Sequence, residues 1–583
     1  MILVTKEIPL VAGEWTISQG LVGYYRILKH AGIKAKITDE GILFDPEHLK
    51  NFEQHYFNYF LDRFSVAKRD ERNIRRIFLK FKKESELQGS KEAKNRIQGS
   101  KKILDEIIKK TAIDKVEKKF EESSHKKRLV KYATVIRNQK MYIPEMNEWI
   151  EQYIQALSEP NINHKLTLNY FKATVLGTYF GQVSFLNVLH TAKNIEEQKA
   201  IFRKDYIESL LVDLELQQVI LQTESSDEIM TYIESSTHEM AKQLKTKFKK
   251  LTIQQIKDYV SNEINGCSFF DSQWAFEQYS ESHFSPLSMS ASKALNFYWN
   301  ANGALTIPMS KLAKLILFCA PAGASIAGGK SLFVQLEGRF EQIIKANDTY
   351  EIGRSKDKAF DEIIFDLIAE QQTKAKQTGD SYLILEYSSE YNAKKTDLQY
   401  LHLTPGLCSL FKEESCSKWF RKLNYAFRSQ IVHSFLRYQD PKLIIHNGLR
   451  GKLQEERLAN EIVYACLLRH YYLFFVKGEG NMNTNLETSK KRIWSAFYAG
   501  LAIKKTMEDG KTRSIAYRLL NAVRANDKKM FLDTAMRLYM SAEKPLPAVF
   551  MNILDESHID FASIGDSFIA GLISKEEEKA NEQ

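Results

Sequence analysis

The chain has 583 residues, 44% hydrophobic and 27% charged, which is enough apolar material for several packed domains. Glycine (26) and proline (11) are scarce, so collagen-like and proline-rich classes are excluded and helices are favoured. The formal net charge of +10 is modest, so its distribution is more informative than its total. With the patterns along the chain, these numbers predict a predominantly helical α+β fold: a small α/β N-terminal unit, a mixed middle region and a C-terminal helical bundle.

The chain opens with a predicted helix over residues 15–28, in which apolar side chains recur with the helical period. Thr16 or Ser18 is the expected N-cap, because a hydroxyl oxygen can accept a hydrogen bond from the first backbone amides. Gly20 and Gly23 lack a Cβ atom, so we expect another backbone to pack closely against this helix.

A hairpin and an aromatic helix complete the predicted N-terminal unit, residues 1–64. Residues 35–44 predict two short strands around the turn Asp39–Gly41. Pro46 suits the first turn of a helix, which we expect to continue to Phe64.

The following segment, residues 65–140, is strongly basic. From Arg63 to Lys140 there are 25 lysines and arginines against 11 acidic residues, an excess larger than that of the whole chain. Sparse apolar positions such as Ile103 and Leu104 predict a long helix or helical hairpin with a narrow buried stripe. Such clustering indicates binding to a nucleic-acid backbone, because each lysine or arginine that contacts a phosphate releases condensed counterions from it. The alternative interpretation is a helix face that is simply exposed to solvent.

Three further segments complete the predicted organisation. Residues 141–265 are predicted to be helical, 266–450 to mix helices with a strand at Tyr382–Tyr387, and 451–583 to form the helical bundle. This last segment is polarised in charge. Met482–Met540 carries 12 basic and 5 acidic residues, whereas the residues after it carry 3 and 9, so a second basic surface is expected.

One segment matches the loosest form of a phosphate-binding loop. Residues 324–331 end in Gly-Gly-Lys-Ser, which would make Lys330 a phosphate ligand of an ATPase. A phosphate loop connects a strand to a helix, so that backbone amides converge on the phosphate. Residues 309–319, however, predict a helix capped by Ser310, so the expected strand is missing. The ATPase remains an alternative function.

Other catalytic patterns are absent from the sequence. There is no G-x-S-x-G, no H-E-x-x-H and no dinucleotide fingerprint, so we expect no catalytic residues and no cofactor. Gly565–Ser567 is expected to be a structural turn. The cysteines never form a C-x-x-C pair, so neither disulfides nor a metal site is predicted. They are Cys267, Cys319, Cys408, Cys416 and Cys466.

Location is predicted from the absence of targeting signals. The start, MILVTKEIPLVAGEW, lacks a secretory signal, and no stretch of 18 uncharged apolar residues occurs. We therefore expect a cytoplasmic protein without a membrane partner.

Four segments together resemble a known family, the large subunit of the type I-B CRISPR Cascade surveillance complex. They are residues 12–28 with their Gly-Glu-Trp and Gly-Leu-Val-Gly-Tyr motifs, the hairpin 38–45, the aromatic helix 52–64, and Trp-Asn-Ala-Asn-Gly-Ala-Leu-Thr-Ile-Pro at 299–308. The resemblance implies a non-catalytic subunit of an RNA-guided complex. Such a subunit recognises the protospacer-adjacent motif, promotes duplex opening and R-loop formation, and stabilises the displaced strand.

The resemblance also implies partners. They are the 5′ handle of the CRISPR RNA, the target double-stranded DNA with its displaced strand, the Cascade backbone subunits, and a separate helicase-nuclease that this subunit helps to recruit. Some relatives carry paired cysteines of zinc-finger type, whereas Cys267 has no C-x-x-C partner here, so no zinc is predicted. The C-terminal bundle is similar to the separate small subunit of other Cascades. Because Gly-Glu-Gly-Asn precedes Met482, we expect that internal translation could yield a product of residues 482–583.

The resemblance supplies no invariant motif reader, so candidates are chosen by chemistry. Polar side chains expected in turns are the candidates for reading the adjacent motif: Asn161, Asn163, Lys165, Asn300 and Asn302. Turn and capping roles are the alternative for these asparagines. The predicted DNA-backbone contacts are Arg75, Arg76, Lys80, Lys82, Lys83, Lys101, Lys102, Lys126, Lys127, Arg128, Lys490, Lys491, Arg492, Lys504, Lys505, Arg513, Arg518, Arg524, Lys528 and Lys529. A helical scaffold for protein partners is the third functional class left open.

Overall fold

The computed structural model shows a predominantly helical α+β fold, which confirms the predicted class. It describes residues 7–86, 91–287, 307–327, 330–355, 382–390, 395–455, 460–478, 486–507, 509–553 and 559–574. Over these ranges, no helix combines the length and the apolar character that crossing a membrane requires.

The chain divides into two compact units. Unit 1 comprises residues 1–333, 339–344 and 386–399, and unit 2 comprises 334–338, 345–385 and 400–583. The finer division into five segments remains a prediction.

The helices of unit 1 begin with α1 (Trp15–His30), α2 (Phe52–Arg63), α3 (Val66–Glu86), α4 (Lys91–Ile108), α5 (Ser124–Asn138), α6 (Met146–Ser158) and α7 (Pro160–Thr174). They continue with α8 (Ile195–Phe202), α9 (Ser209–Gln222), α10 (Ser226–Ser235), α11 (Ala241–Phe248), α12 (Ile253–Glu263) and α13 (Lys311–Gly323). Two π-helical segments, Lys109–Glu117 and Arg203–Glu208, follow α4 and α8 directly.

Helix α14 (Phe340–Ser355) has residues in both units. The helices that follow, all in unit 2, are α15 (Pro405–Lys412), α16 (Glu414–Lys422), α17 (Tyr425–Leu436), α18 (Lys442–Glu455), α19 (Asn460–Phe475), α20 (Leu486–Lys504), α21 (Asp509–Arg524), α22 (Lys528–Ser541) and α23 (Phe561–Ile573).

A three-stranded antiparallel sheet opens unit 1. Strands β1 (Ile8–Val11), β2 (Lys36–Ile37) and β3 (Gly41–Phe44) are ordered β1-β3-β2, and Ile37 lies opposite Ile42. The predicted hairpin is therefore confirmed. The predicted aromatic helix is divided instead, because Pro46–Leu49 forms a 3₁₀ turn before α2 begins.

Helix α1 lies in the centre of unit 1 and is buried on nearly all sides. Its first turn is preceded by Glu14, which makes no side-chain capping bond, and Thr16 and Ser18 are fully buried inside the helix. The prediction that either hydroxyl caps the helix is wrong, because the apolar environment continues past the expected boundary.

The two predicted glycine contacts form the crossing of α1 and α13. A Cβ atom at Gly23 would overlap the carbonyl oxygen of Cys319, and one at Gly20 would lie 2.5 Å from that of Ile316. A Cβ at Gly323 would overlap the Gln19 carbonyl in return. The close backbone approach predicted from Gly20 and Gly23 is confirmed.

Buried polar side chains of α1 satisfy groups of α13. Arg26 donates from Nη1 to the carbonyl oxygens of Ala322 (3.1 Å) and Gly323 (3.0 Å) at the end of α13, where helix carbonyls lack partners within the helix, and the Tyr59 hydroxyl also donates to Ala322 at 3.2 Å. Gln19 donates to Ala320 O at 2.9 Å and accepts from the hydroxyl of Tyr387 at 2.8 Å. The bonds to Ala320, Ala322 and Gly323 fix the position of α13 against α1, and the Tyr387 bond ties α1 to β8.

The basic segment forms helices α3 and α4, which pack side by side, followed by α5. Their few apolar residues face a shared core: Leu104 and Ile108 are fully buried, whereas Ile103 is 45% exposed. The predicted helical hairpin with a narrow buried stripe is thus confirmed. It leaves most lysines and arginines of this segment on outward faces.

The middle of the chain forms two further sheets. Strands β4 (Glu277–Gln278) and β5 (Pro308–Met309) pair antiparallel. Strands β6 (Ser325–Ala327), β7 (Lys330–Leu336), β8 (Tyr382–Glu390) and β9 (Lys395–Leu403) are hydrogen-bonded in that order. The predicted strand at Tyr382–Tyr387 lies within β8.

The bundle of unit 2 is organised around α23, which packs against α20. A Cβ atom at Gly571 would overlap the Phe497 carbonyl, and one at Gly500 would overlap that of Phe568. Gly565–Ser567 lies inside α23 and not in a turn, so that prediction is wrong. The sequence around it is apolar enough to make α23 buried along its length.

Candidate nucleic-acid interface

The amino-terminal basic surface is the set of ten predicted cations carried by α3, α4 and α5. Four of them are exposed and have no ion-pair partner among the residues that the structure describes: Arg76, Lys83, Lys102 and Lys127. Because their charges are not neutralised within the fold, they are available to phosphate oxygens.

Arg75 is committed to carboxylates of its own unit. Its guanidinium donates to Glu71 at 2.9 Å and forms a two-point ion pair with Glu151 of α6. These bonds raise the pKa of Arg75 above its ordinary value, and the bond to Glu151 contributes most. The same bond lowers the pKa of Glu151. Arg75 therefore holds α6 against α3.

Two lysines of this surface are buried. Lys101 pairs with Asp105 and contacts the backbone oxygen of Arg137 at 3.4 Å. Lys126 donates to the Phe120 oxygen at 2.7 Å and to Glu122 at 2.8 Å. Both ammonium groups are used inside the fold.

The remaining three cations have weaker internal contacts. Lys80 lies 3.9 Å from Glu84, and Lys82 lies over the Tyr142 ring at 5.3 Å. Half-buried Arg128 donates to the side chains of Gln152 and Gln155.

The carboxy-terminal basic surface is the corresponding set of ten cations on and beside α20, α21 and α22. Lys491, Arg492, Arg518, Arg524 and Lys529 have no ion-pair partner in the part of unit 2 that the structure describes. All but half-buried Arg492 are exposed.

The other five cations of this surface interact within the chain. Lys490 lies 3.6 Å from Glu487, and Lys504 donates to the backbone oxygen of Ser574 at the end of α23. The last three are Lys505, Arg513 and Lys528.

The motif-reading candidates lie in different environments. Asn161 is exposed in the first turn of α7, where its amide has no partner among the described residues. The Asn163 amide instead accepts from the backbone of Ala67 at 3.1 Å and donates to Ser65 at 3.1 Å, which ties α7 to the start of α3.

The other candidates are less informative. Lys165 is exposed over the Phe120 ring at 4.9 Å. Asn300 and Asn302 lie outside the described residues. The reading role of all five stays a prediction.

The phosphate-loop pattern has the wrong geometry for that function. Its flanks, β6 and β7, form an antiparallel pair in which Ala327 lies opposite Lys330. Lys330 itself pairs with Glu386 of β8. The segment is followed by a strand and not by a helix, so no helix N-terminus can meet a phosphate there. The predicted helix before it is present and capped by Ser310, whose oxygen accepts from Ala313 at 3.1 Å.

A concave feature that sequence reasoning missed lies within the amino-terminal basic surface. A cavity of about 730 Å³ lies between α4 and the end of α5. Twelve residues line it: Lys94, Ile97, Gln98, Lys101, Lys102, Asp105, Glu106, Lys109, Arg137, Gln139, Lys140 and Met141. The three- and four-residue spacing from Lys94 to Lys109 is the signal that indicates a shared face.

The cysteines are buried in both units and none forms a disulfide. Burial raises the pKa of the Cys319, Cys416 and Cys466 thiols well above the ordinary value, so they stay protonated near neutral pH. Over the described ranges, no group of three or more His, Cys, Asp and Glu side chains has the arrangement of a metal site.

Comparison with known families gives one match. Residues 268–325 match the family described as CRISPR-associated protein (Cas_CXXC_CXXC), over about a tenth of the chain. This stretch includes the Trp-Asn-Ala-Asn-Gly motif and α13, but its single cysteine is Cys319, so the paired cysteines for which the family is named are absent from it. No curated protein and no solved structure matches. The match supports a CRISPR-associated protein.

Proposed function

We propose that this chain is the non-catalytic large subunit of a type I-B Cascade. In this role it contacts the 5′ handle of the CRISPR RNA and the backbone subunits, recognises the adjacent motif in target DNA and promotes duplex opening. It then stabilises the displaced strand and supports recruitment of a separate helicase-nuclease. The single observation that carries the proposal is the set of exposed, unpaired cations on α3–α5 in a chain with a CRISPR-associated family match.

The charge arrangement supports backbone binding in preference to catalysis. Free lysines and arginines on helix faces neutralise phosphates without reading sequence, which suits a complex in which guide RNA pairing reads the target. The arrangement of β6 and β7 around Lys330 gives no support to the ATPase alternative. The proposal therefore assigns strand cleavage and ATP hydrolysis to the separate helicase-nuclease.

The proposal is tested in the assembled complex. Complexes with guide RNA are prepared with and without this chain, and opening of a target duplex is followed by the reactivity of its unpaired thymines. We expect opening to require this chain and the adjacent motif. The variant Lys330→Ala should open duplex as the wild type does, because Lys330 lies in an antiparallel strand pair.

Two results would contradict the proposal. One is equal opening by complexes that lack the chain, as expected of a dispensable protein scaffold. The other is ATP hydrolysis or strand cleavage by the purified chain that the Lys330→Ala substitution abolishes.

The proposed complex also includes a product of internal translation, residues 482–583. Met482 lies outside the described residues, so the proposal depends on the purine-rich codons that Gly-Glu-Gly-Asn can supply before it. Intact mass spectrometry of the complex should detect this fragment, and recoding Met482 should remove it. A complex without the fragment would contradict the idea.

A further inference from the structure

The cavity between α4 and α5 carries a large positive excess. Lys101 and Asp105 pair with each other, so their charges largely cancel. Five cations then remain along its wall, opposed by Glu106: Lys94, Lys102, Lys109, Arg137 and Lys140. A concave site with this balance attracts anions, because low-dielectric walls concentrate the field of the lining charges.

Arg137 adds a directional group. Its Nε–H is buried and has no hydrogen-bond acceptor among the described residues. Arg137 lines the cavity, and a guanidinium carries five N–H donors and no acceptor, so an oxygen acceptor in the cavity is a suitable partner for it. A phosphate oxygen or a base carbonyl would supply one.

The size and shape of the cavity favour an unpaired nucleotide. Its volume of about 730 Å³ lies in the range of small-molecule sites. The lining face runs along α4 from Lys94 to Lys109 at the start of the next segment, about 22 Å at 1.5 Å per residue, so a strand could continue beyond the cavity. Ile97 and the half-exposed Met141 add an apolar wall for a base. A duplex, whose bases are paired and stacked, cannot place one there.

We infer that this cavity binds one unpaired nucleotide of a single-stranded nucleic acid, with Lys102, Lys109 and Lys140 on its phosphates. The inference rests on the proposed nucleic-acid function and adds to it a site that binds single strands in preference to duplex. An unpaired nucleotide could come from DNA, from RNA or from free nucleotide.

The test compares two triple variants of the full chain with equal charge changes. The cavity variant is Lys102→Gln, Lys109→Gln and Lys140→Gln. The matched control is Arg76→Gln, Lys83→Gln and Lys127→Gln, which removes exposed cations outside the cavity. Fluorescence anisotropy gives the affinity of each for a labelled single strand of DNA, the same sequence in RNA, and the DNA duplex.

We expect the cavity variant to lose about tenfold in single-strand affinity while duplex affinity falls much less. The control should weaken single strand and duplex by similar factors. Arg137→Lys keeps the charge but removes the planar array of guanidinium donors, and should lower single-strand affinity with the salt dependence unchanged.

Four outcomes separate the possibilities. Equal ratios of single-strand to duplex affinity in the two triple variants would overturn the inference. So would binding of free dTMP in the cavity without any variant effect on the strands. If the wild-type chain, alone and in the complex, bound neither strand nor duplex at low salt, the proposed function itself would fail. A stronger effect on DNA than on RNA, or the reverse, identifies the strand that the cavity binds.

Discussion

The two basic surfaces carry the same number of predicted cations but differ in how those cations are used. On the amino-terminal surface, Arg75, Lys101 and Lys126 are tied to carboxylates or backbone oxygens of unit 1, and a cavity interrupts the helix faces. On the carboxy-terminal surface five cations also interact within the chain, but all ten are exposed or half-buried. The difference shows that a count of lysines and arginines overstates free charge where helices have few apolar residues. In such helices, the aliphatic parts of lysine and arginine side chains and their ion pairs supply part of the packing.

Each basic surface belongs to a unit that contains a close helix crossing, α1–α13 in unit 1 and α20–α23 in unit 2. Breaking a crossing should have the largest effect, which is on the stability of its unit. Gly23→Val in α1 and Gly571→Val in α23 each force a side chain into a backbone carbonyl. We expect each to destabilise its unit by more than about 4 kcal/mol. Hydrogen exchange should show lost protection in α1 and α13 for the first, and in α20 and α23 for the second.

A glycine with open space provides the control for this prediction. Nothing lies within 4 Å of a Cβ atom at Gly99 of α4. Gly99→Ala should therefore be neutral or stabilising by about 1 kcal/mol, because alanine favours helix. If protection from hydrogen exchange persisted in both valine variants, the close crossings would not be needed for the stability of the two units.

The next largest effect should come from removing free charge from each surface. One variant replaces Arg76, Lys83 and Lys127 with glutamine, and the other replaces Lys491, Arg524 and Lys529. Each should lower duplex affinity on the order of 100-fold at low salt and reduce the slope of log K against log salt by up to about 2.7. A salt titration measures both. If the slope is unchanged in one variant, the surface changed in that variant does not contact the DNA.

A pH effect of definite sign is expected from Asp566 in unit 2. Burial raises the pKa of Asp566 to about 7, against the opposing charge of Arg469. The folded state therefore holds a proton that the unfolded state has lost, and the free energy of unfolding falls as pH rises from about 4 through 7. Between pH 6 and 8 the fall is about 1.4 kcal/mol.

Thermal unfolding of the wild type and Asp566→Asn at both pH values measures this effect. The wild-type midpoint should fall by a few degrees more than that of the variant between pH 6 and 8. Subtracting the variant removes the contributions of other groups, such as His470, whose pKa burial lowers. Equal falls in both proteins would show that Asp566 is ionised throughout.

The smallest effect is expected at a committed cation. Arg75→Gln removes an ion pair whose two side chains are about half exposed, so stability should change by no more than about 1 kcal/mol. DNA affinity should change less than for Arg76→Gln, the neighbouring free cation. Anisotropy with both single variants tests this, and a larger loss for Arg75→Gln would reverse our assignment of the two residues.

Local patterns allowed much of the fold to be predicted. The Ser310 cap and the basic hairpin depend on residues close in sequence, and the missing Cβ atoms of Gly20 and Gly23 predicted a close backbone approach without identifying its partner; each is present as expected. The α1 cap was wrong because burial of that helix is decided by α13, nearly 300 residues away in the sequence.

The candidate site was less predictable for the same reason. The Arg75–Glu151 pair joins α3 to α6, and the cavity combines α4 with residues that follow α5, so neither leaves a short-range signal. Lys94, Lys109, Arg137 and Lys140 were part of the basic count but were not selected. Their importance depends on a shape that no spacing rule describes.

The buried cysteines give this chain a built-in set of reporters. Cys319 lies at the α1–α13 crossing and Cys466 on α19 beside α23, so each unit keeps at least one thiol out of reach of water. An alkylating reagent should modify them only when the surrounding helices separate. Mass spectrometry of labelled peptides could then follow the opening of each half independently, without introducing any probe.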